Sequence, residues 1–556
     1  MRNMRWSMAA SGLAIFGALG WFMGCTTTET EALTEQKLGS NTKPGTTSSS
    51  GGGGSPSTTS SSHSSTGTGI DPGCIGEPTD GMVLDTKGIL SDKCGVFVKA
   101  GVADGGAGTA EKPYNSIQEA IASGNGRNVY VCKSPDAMVT LTEAVMIQGP
   151  ITVMGGFDCA NAWTFHAMDK SPLTALADAI PLTITAMGAV KIANLAITAA
   201  VAKGPGKSSI AVFASGAEAT FDFCYIEAKN GADGADGAAG GLVMGGNVVA
   251  ATAGPPGGDG SPACSDLDAN GTPDSTLNGG AGPMNACAGP PNVGGDGGSG
   301  KQSSGNPGSP GVTGSLGGIG TGESGIGAWS CTGLEPNGSG NAGDGGADGG
   351  SGPAGKGPGA LTAAGYQGAN GQVGTASTPG QGGGGGGGAK GGVAICPGSK
   401  AGAGASGGGG GAGGCGGGSG QGGTAAGSSI AVASVNSTVT LKDSSLNAGN
   451  GGTGGKGGDL QPGGPGGAPG QGKAGFGGSS ASCNGGLGGA GGKGGTGGGG
   501  QGGHSIAIAY TGTQATQVGK VTLATGTAGM GGLGGNVSVQ LNAGDPGVAQ
   551  QQQLFP

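Results

Sequence analysis

Aromatic residues are 3% and charged residues 10% of the 556-residue chain, too few to furnish the several ordinary cores that its length would allow. Arginine occurs only as Arg2, Arg5 and Arg127, and the formal net charge is -9. Phosphate recognition needs clustered Lys and Arg, so nucleic acid is excluded as a partner. No apolar run has the roughly 20 residues of a comfortable membrane span. Histidine is equally scarce: His63 lies in a polar stretch, while His166 and His504 are far apart in sequence and in no metal or nucleophile motif. No Cys-x-x-Cys pair occurs, which removes the usual zinc signal, and no cysteine has a base partner suited to nucleophilic catalysis. The abundant residue is glycine, 144 of 556, about a quarter against the usual ~7%. Glycine offers no side chain to pack and loses the most backbone entropy on ordering.

Arg2 and Arg5 precede an apolar run, Met8 to Phe22, that ends in Phe22-Met23-Gly24-Cys25-Thr26. Its length is that of a secretory leader. The ending resembles a bacterial lipoprotein signal, in which a small residue precedes a cysteine that is acylated and becomes the first residue. The resemblance implies a leader over residues 1–24, lipid on Cys25, and a place in the cell envelope at the outer membrane or cell surface. Residues 25–70 are rich in Ser, Thr and Gly, including Ser48-Ser49-Ser50-Gly51-Gly52-Gly53-Gly54. With no hydrophobic period to bury, they read as a flexible tether.

Residues 71–230 carry the dense hydrophobic patterning. Ser116 and Glu119 have capping-box spacing ahead of Ile117, Ala120 and Ile121, predicting a short amphipathic helix. Around it lie brief Val-, Ile- and Thr-rich runs separated by Gly, Asn and Pro, the pattern of many short strands. Val96–Val98, Lys112-Pro113-Tyr114-Asn115-Ser116-Ile117, Val129-Tyr130-Val131 and Val153-Met154-Gly155-Gly156-Phe157 together resemble the start of pectin-lyase-type proteins. That resemblance implies an all-β fold, a right-handed parallel β-helix whose first coil is covered by the helix. An antiparallel sandwich also uses many short strands and stays open on the pattern alone.

Ser208-Ser209-Ile210-Ala211-Val212 recurs as Ser428-Ser429-Ile430-Ala431-Val432, and a third copy is Ser505-Ile506-Ala507-Ile508. The first two copies lead to a second strand and then to matched turns, Ile226-Glu227-Ala228 and Leu446-Asn447-Ala448. Stacked solenoid coils with unequal insertions account for such spacing. The chain then divides into glycine-rich insertions at 231–427 and 449–503, a coil at 428–448, and a C-terminal coil and tail at 504–556, with Val521–Leu523 and Val537–Leu541 as last strands. Within the insertions Gly305, Gly308 and Gly311, and again Gly485, Gly488, Gly491, Gly494 and Gly497, keep a three-residue frame. Two states fit: disorder, or polyglycine-II-like helices of three residues per turn packed through their glycines. Proline, 29 of 556, is too sparse for collagen. The tracts resemble the Gly-Gly-x repeats of PGRS-type surface proteins.

Of the twelve cysteines, eleven remain if Cys25 carries lipid, so at least one has no intramolecular partner. An exported chain favours disulfides, and proximity in sequence pairs Cys74–Cys94, Cys132–Cys159, Cys264–Cys287 and Cys396–Cys415. Asp266-Leu267-Asp268-Ala269-Asn270-Gly271-Thr272-Pro273-Asp274 alternates oxygen side chains around a glycine, as hard cations require. It resembles calcium loops of thrombospondin type 3 and dockerin repeats, making Asp266, Asp268, Asn270 and Asp274 the candidate ligands. An ordinary acidic turn is the competing reading, and no cofactor beyond structural calcium is expected. Asp222 and Glu227 are isolated carboxylates, whereas glycoside hydrolysis usually needs a facing pair. The sequence therefore points to a non-catalytic, lipid-anchored surface protein of structural or adhesive role, with polysaccharide or other surface components as partners. The alternative is a degenerate carbohydrate-active β-helix enzyme, a polysaccharide lyase or hydrolase.

Overall fold

The computed structural model describes residues 74, 76–85, 88–133, 140–241, 243–244, 247–287, 292–311, 318–324, 329–332, 336–535 and 541–556. The leader, Cys25, the tether and the strand expected at Val537–Leu541 (save Leu541) lie outside them. Among the described residues the one α-helix is Ile117–Ser123; regular structure is otherwise overwhelmingly β.

Three sheets take strands from the chain in rotation. The first runs Gly95–Val98, Asn128–Cys132, Ile151–Asp158, Ala189–Ala193, Glu218–Asp222, Thr438–Lys442, Thr516–Val518, with Thr164–Phe165 added antiparallel to Ile151–Asp158. The second runs Leu141–Thr142, Ser171–Thr174, Leu195–Thr198, Tyr225–Ala228, Ser445–Ala448, Thr522–Ala524. The third runs Val145–Ile147, Leu182–Ile184, Ser209–Ser215, Ser429–Val435, Ser505–Thr511, Ala549–Leu554. Along each path neighbours pair in parallel, which removes the antiparallel sandwich. The three Ser-Ile-Ala words lie side by side, Ile210 against Ile430 and Ile430 against Ile506.

Alternation explains the burial. Val190 and Ile192, Ala219 and Phe221, and Val439 and Leu441 turn one face of the first sheet into a core shared with Ile197, Ile226, Leu446, Val212 and Val432. Corners recur where the chain changes sheet. Gly216, Asn436 and Gly512 have φ of 62°, 47° and 75° at one corner, and Asn194, Phe223, Asp443 and Gly519 have 53°, 50°, 45° and 69° at the next. Gly, Asn and Asp tolerate this left-handed geometry, so the short polar words between strands are corner signals. Successive rounds are also tied by hydroxyls: the N–H groups of Ala217 and Cys224 donate to Ser437 Oγ and Ser444 Oγ, both at 3.0 Å. One expectation is corrected here. Ile226-Glu227-Ala228 and Leu446-Asn447-Ala448 are not turns; they belong to paired strands of the second sheet, their alternating Ile/Ala and Leu/Ala sides facing inward.

The long glycine-rich tracts leave by one corner, between second and third sheets, after Ala228 and after Ala448. The 220-residue offset that pairs Tyr225 with Ser445 continues into the tracts, where Gly231, Gly234 and Gly237 donate to Asn450, Thr453 and Lys456 at 2.7–2.9 Å. Every third residue donates to one neighbour, and the intervening residues donate to others. Residues 404–427 show this most fully. Gly408, Gly411, Gly414, Gly417, Gly420 and Gly423 donate to Cys483, Gly486, Gly489, Gly492, Gly495 and Gly498 at 2.9–3.0 Å; Gly409, Ala412 and Cys415 donate to Gly258, Pro255 and Thr252 at 2.9–3.1 Å. Gly410 donates to Gly295, and the carbonyls of Gly411, Ala412 and Gly407 accept from Gly383, Gly467 and Gly280. Six chain segments thus surround one. Of the two states the sequence left open, the described tract residues are ordered by hydrogen bonds to neighbouring segments that recur every third residue.

Glycine is required there sterically. A Cβ on Gly409, Gly410 or Gly411 would overlap the carbonyl of Ala281, Gly383 or Gly467 respectively. Peripheral segments differ: in 231–240 one residue in three is glycine, and the exposed Asp233 and Asp236 bend back to accept the N–H of Thr453 and Lys456 at 2.6 and 2.7 Å.

The cysteines pair as Cys74–Cys94, Cys132–Cys159, Cys264–Cys396, Cys287–Cys415 and Cys331–Cys483. The expected Cys264–Cys287 and Cys396–Cys415 bridges are therefore replaced. Lateral packing of extended segments brings together residues 128 to 152 positions apart, while near neighbours in sequence are carried apart along the axis. Among the described cysteines Cys224 is the unpaired one, buried in the shared core, and burial pushes its thiol up to about 12.

Candidate binding surface

Residues 231–260 run outward from the sheets and 404–427 run back to them, so the connections between such segments gather at the far end of the glycine-rich body. The connections 262–276, 390–403 and 472–483 are bound to one another there. Cys264–Cys396 joins the first two, Lys400 Nζ donates to the Gly271 carbonyl at 2.8 Å, and Gly477 abuts Ile395. Glu323 is fastened to two of these connections, accepting from Lys390 N at 2.8 Å and Ser480 Oγ at 3.1 Å. Leu267, Val393 and Phe476 project from three of these turns with 66%, 76% and 46% exposure. Nothing in composition or period distinguishes these three residues; their shared location follows only from the path of the chain.

Asp266, Asp268, Asn270 and Asp274 lie in the first of these turns, and their oxygens mostly face their own backbone. Asp266 accepts from Asn270 N at 3.1 Å and Gly271 N at 2.8 Å, Asp274 from Leu267 N at 2.9 Å, and Asp268 from Asn270 Nδ2 at 2.7 Å. Desolvation acts upward on the Asp266 carboxyl, but hydrogen bonds from the Gly271 and Asn270 N–H groups outweigh it and hold the group below its ordinary value. Among the described residues no group of three or more His, Cys, Asp or Glu side chains converges as a metal cage.

Asp222 and Glu227 are not brought together. Asp222 lies on the outer face of the first sheet, buried, with Lys191 and Lys442 each 3.2 Å from Oδ2, while Glu77 pairs with Lys191. Hydrogen bonding to Asp222 raises the Lys442 ammonium pKa. Glu227 belongs to the second sheet and pairs with Lys229 at 2.7 Å. A 270 Å³ cavity beside this cluster is lined by Glu77, Tyr130, Thr152, Met154 and Lys191. Among the described residues its lining includes one carboxylate, Glu77, whereas usual glycoside hydrolysis requires a facing pair.

His504 is structural. Its Nδ1 accepts from Val548 N at 2.9 Å, so the ring proton is on Nε2, which donates to the Pro358 carbonyl at 2.9 Å. Tyr366 and Phe555 pack edge-on against the ring. Burial lowers its pKa against a smaller opposing effect of Pro358. The unfolded chain therefore binds the proton more readily, and stability present above the ordinary pKa of ~6.5 is lost as pH falls from there through the folded value. We expect folding stability at a fixed temperature, taken from thermal melts, to fall as pH drops below about 6.5, with a slope of up to ~1.4 kcal/mol per pH unit. His504→Gln should flatten that slope in the same melts; an unchanged slope would assign the acid sensitivity elsewhere.

No family model, no curated protein and no solved structure matches the chain.

Proposed function

We propose that this is an exported, non-catalytic surface protein of structural or adhesive role, anchored at the outer membrane or cell surface by lipid on Cys25. In this reading the three sheets wind as a right-handed parallel β-helix of pectin-lyase type, which serves as the stalk. The glycine-rich body is a polyglycine-II-like lattice that displays its far end. The observation supporting it best is that end itself: the turns bearing Leu267, Val393 and Phe476 are fastened to a framework whose segments share backbone hydrogen bonds. A rigid display of exposed apolar side chains beside polar loops suits binding with little ordering cost. No described helix is long and apolar enough to cross a membrane; the anchor in this proposal is the lipid on Cys25. Calcium held by Asp266, Asp268, Asn270 and Asp274 would stiffen the first turn of the same end.

The test uses the full exported protein in detergent micelles against immobilised bacterial and plant polysaccharides, with and without calcium. Retention without new sugar ends is expected, weakened at least tenfold in the Leu267→Ala, Val393→Ala, Phe476→Ala triple variant. New reducing or unsaturated ends would overturn the non-catalytic reading in favour of the enzyme, and would direct attention to Asp222 and Glu77. Binding unaffected by the triple variant would move the adhesive surface away from the far end.

A further inference from the structure

The cysteines of the glycine-rich body pair in an interleaved order. Along the chain they are Cys264, Cys287, Cys331, Cys396, Cys415 and Cys483, and the first joins the fourth, the second the fifth and the third the sixth. The unfolded chain favours another set. Cys287 follows Cys264, and Cys415 follows Cys396, by about 20 residues, against 132 and 128 for the native loops; closure probability falls as roughly the 3/2 power of loop length, so each near pair is favoured roughly fifteenfold. Those two near pairs leave Cys331 and Cys483 to each other, which is their native bridge. One exchange of partners therefore separates the favoured set from the native one. The folded body cannot hold the near pairs. From Gly404 to Cys415 the chain runs straight between two neighbours, with Gly408, Gly411 and Gly414 donating to Cys483, Gly486 and Gly489, and Gly409, Ala412 and Cys415 to Gly258, Pro255 and Thr252. The Cys396 sulfur abuts Gly402 at the start of that run, so Cys415 stands roughly 30 Å away at ~3 Å per extended residue, whereas bridged Cα atoms lie within ~7 Å. Among the described cysteines the free thiol cannot start the exchange, because Cys224 is buried in the core of the sheets.

We propose that this chain is a client of a disulfide isomerase, an enzyme that presents a reactive thiolate beside a cleft for unpacked polypeptide, and that its task here is to exchange Cys264–Cys287 and Cys396–Cys415 for Cys264–Cys396 and Cys287–Cys415. The enzyme thiolate attacks Cys287 Sγ, breaking the Cys264–Cys287 bond, forming a mixed disulfide and freeing the Cys264 thiolate. Cys264 then attacks Cys396 Sγ and frees the Cys415 thiolate. Cys415 attacks Cys287 Sγ in the mixed disulfide, closing the second native bridge and releasing the enzyme thiolate. Two disulfides are present before and after, so no oxidant or reductant is consumed. Burial gives the exchange its direction. Cys396, Cys415 and Cys483 are 3%, 8% and 1% exposed in the packed body, closed to a protein nucleophile, whereas a near-paired chain cannot pack and keeps its bridges open to attack. Leu277, fully buried in the native body, lies in the loop that Cys264–Cys287 would close and offers the cleft an apolar hold. The cellular setting rests on the export proposed above, because disulfides form and are exchanged in oxidising compartments; the exchange chemistry does not.

The test refolds the full reduced protein from urea into detergent micelles and a glutathione buffer, with and without a purified disulfide isomerase in catalytic amount. Samples quenched by acid and alkylation are cut at Asp and Lys, which fall between all the cysteines of the body, and the bridges are mapped by mass. With glutathione alone, Cys264–Cys287 and Cys396–Cys415 should dominate early. The isomerase should bring in Cys264–Cys396 and Cys287–Cys415 at least tenfold faster, while the rates for Cys74–Cys94 and Cys132–Cys159 stay unchanged. An isomerase with its attacking cysteine replaced by alanine should give no acceleration. Native pairs arriving as fast in glutathione alone would overturn the proposal, as would near pairs that stay at trace level, acceleration by the inactive enzyme, or failure to regain the native pairs with the active one. A cytosolic location would overturn export and leave the requirement for exchange standing, so the two readings fail separately.

Discussion

Gly410→Val is expected to dismantle the glycine-rich body, whereas Gly345→Ala, in the same body, is expected to change stability by less than about 1 kcal/mol and in the favourable direction. Gly410 stands in the surrounded segment, and its Cβ would overlap the Gly383 carbonyl. That carbonyl already accepts from Gly295 at 2.8 Å, so it cannot move without breaking a bond to a third segment. Neighbouring glycines are equally confined, Gly409 by Ala281 and Gly411 by Gly467; no direction of relaxation is free. Overpacking typically costs 1–3 kcal/mol where a core can yield. Here the cost should exceed about 4 kcal/mol, the range reserved for a structural break. Gly345 is exposed, and the nearest atom to its Cβ is the Ala490 carbonyl at 3.6 Å, an ordinary contact. Limited proteolysis followed by mass mapping distinguishes the two. Gly410→Val should open cuts across 231–427 and 449–503 while the sheets resist, and Gly345→Ala should match the parent. Equal protection in both variants would mean that the segments are not packed through their glycines.

The contrast between those two glycines was present in the sequence in a form that periodicity alone does not decode. A three-residue frame says how often a segment turns toward a neighbour. The number of glycines per triplet says how many of its sides are covered. The run Gly407–Gly411 is surrounded by other segments, and the Gly-Ala-Asp repeats near Gly231 are flanked by two, residues 421–427 and 450–456. The short strands and repeated Ser-Ile-Ala words were legible because alternation and exact recurrence are local signals. Other features depended on lateral packing and left no local trace. Cys264 meets Cys396 because two segments of opposite direction end together, a fact unrelated to their separation of 132 residues. The last strand was invisible for a different reason: four consecutive glutamines carry neither alternation nor β-branched side chains. Asp222 was noticed as an acid, but its two lysine partners come from neighbouring strands 31 residues before it and 220 after it.

Replacing Cys287 and Cys415 together by serine is expected to cost about 5 kcal/mol, more than the ~3 kcal/mol for Cys74 with Cys94. The bridges span 128 and 20 residues, and the entropy removed from the unfolded chain grows with the logarithm of loop length. Glycine enlarges the effect, since its unfolded backbone has the most freedom to lose. Cys415 also sits in the surrounded segment, donating to Thr252 and accepting from Gly464 at 2.9 and 2.8 Å, so the bridge holds the centre of the body to Cys287. The three long bridges overlap in sequence, and their deletions should not add. Stepwise reduction with mass-tagged alkylation under rising urea measures this directly. The glycine-rich body should lose protection at lower urea in the Cys287→Ser, Cys415→Ser double variant, and in the fully reduced protein before the sheets do. If removing the 20-residue bridge proves the costlier, backbone hydrogen bonding between segments suffices to hold the body, and the long bridges guard only against local opening.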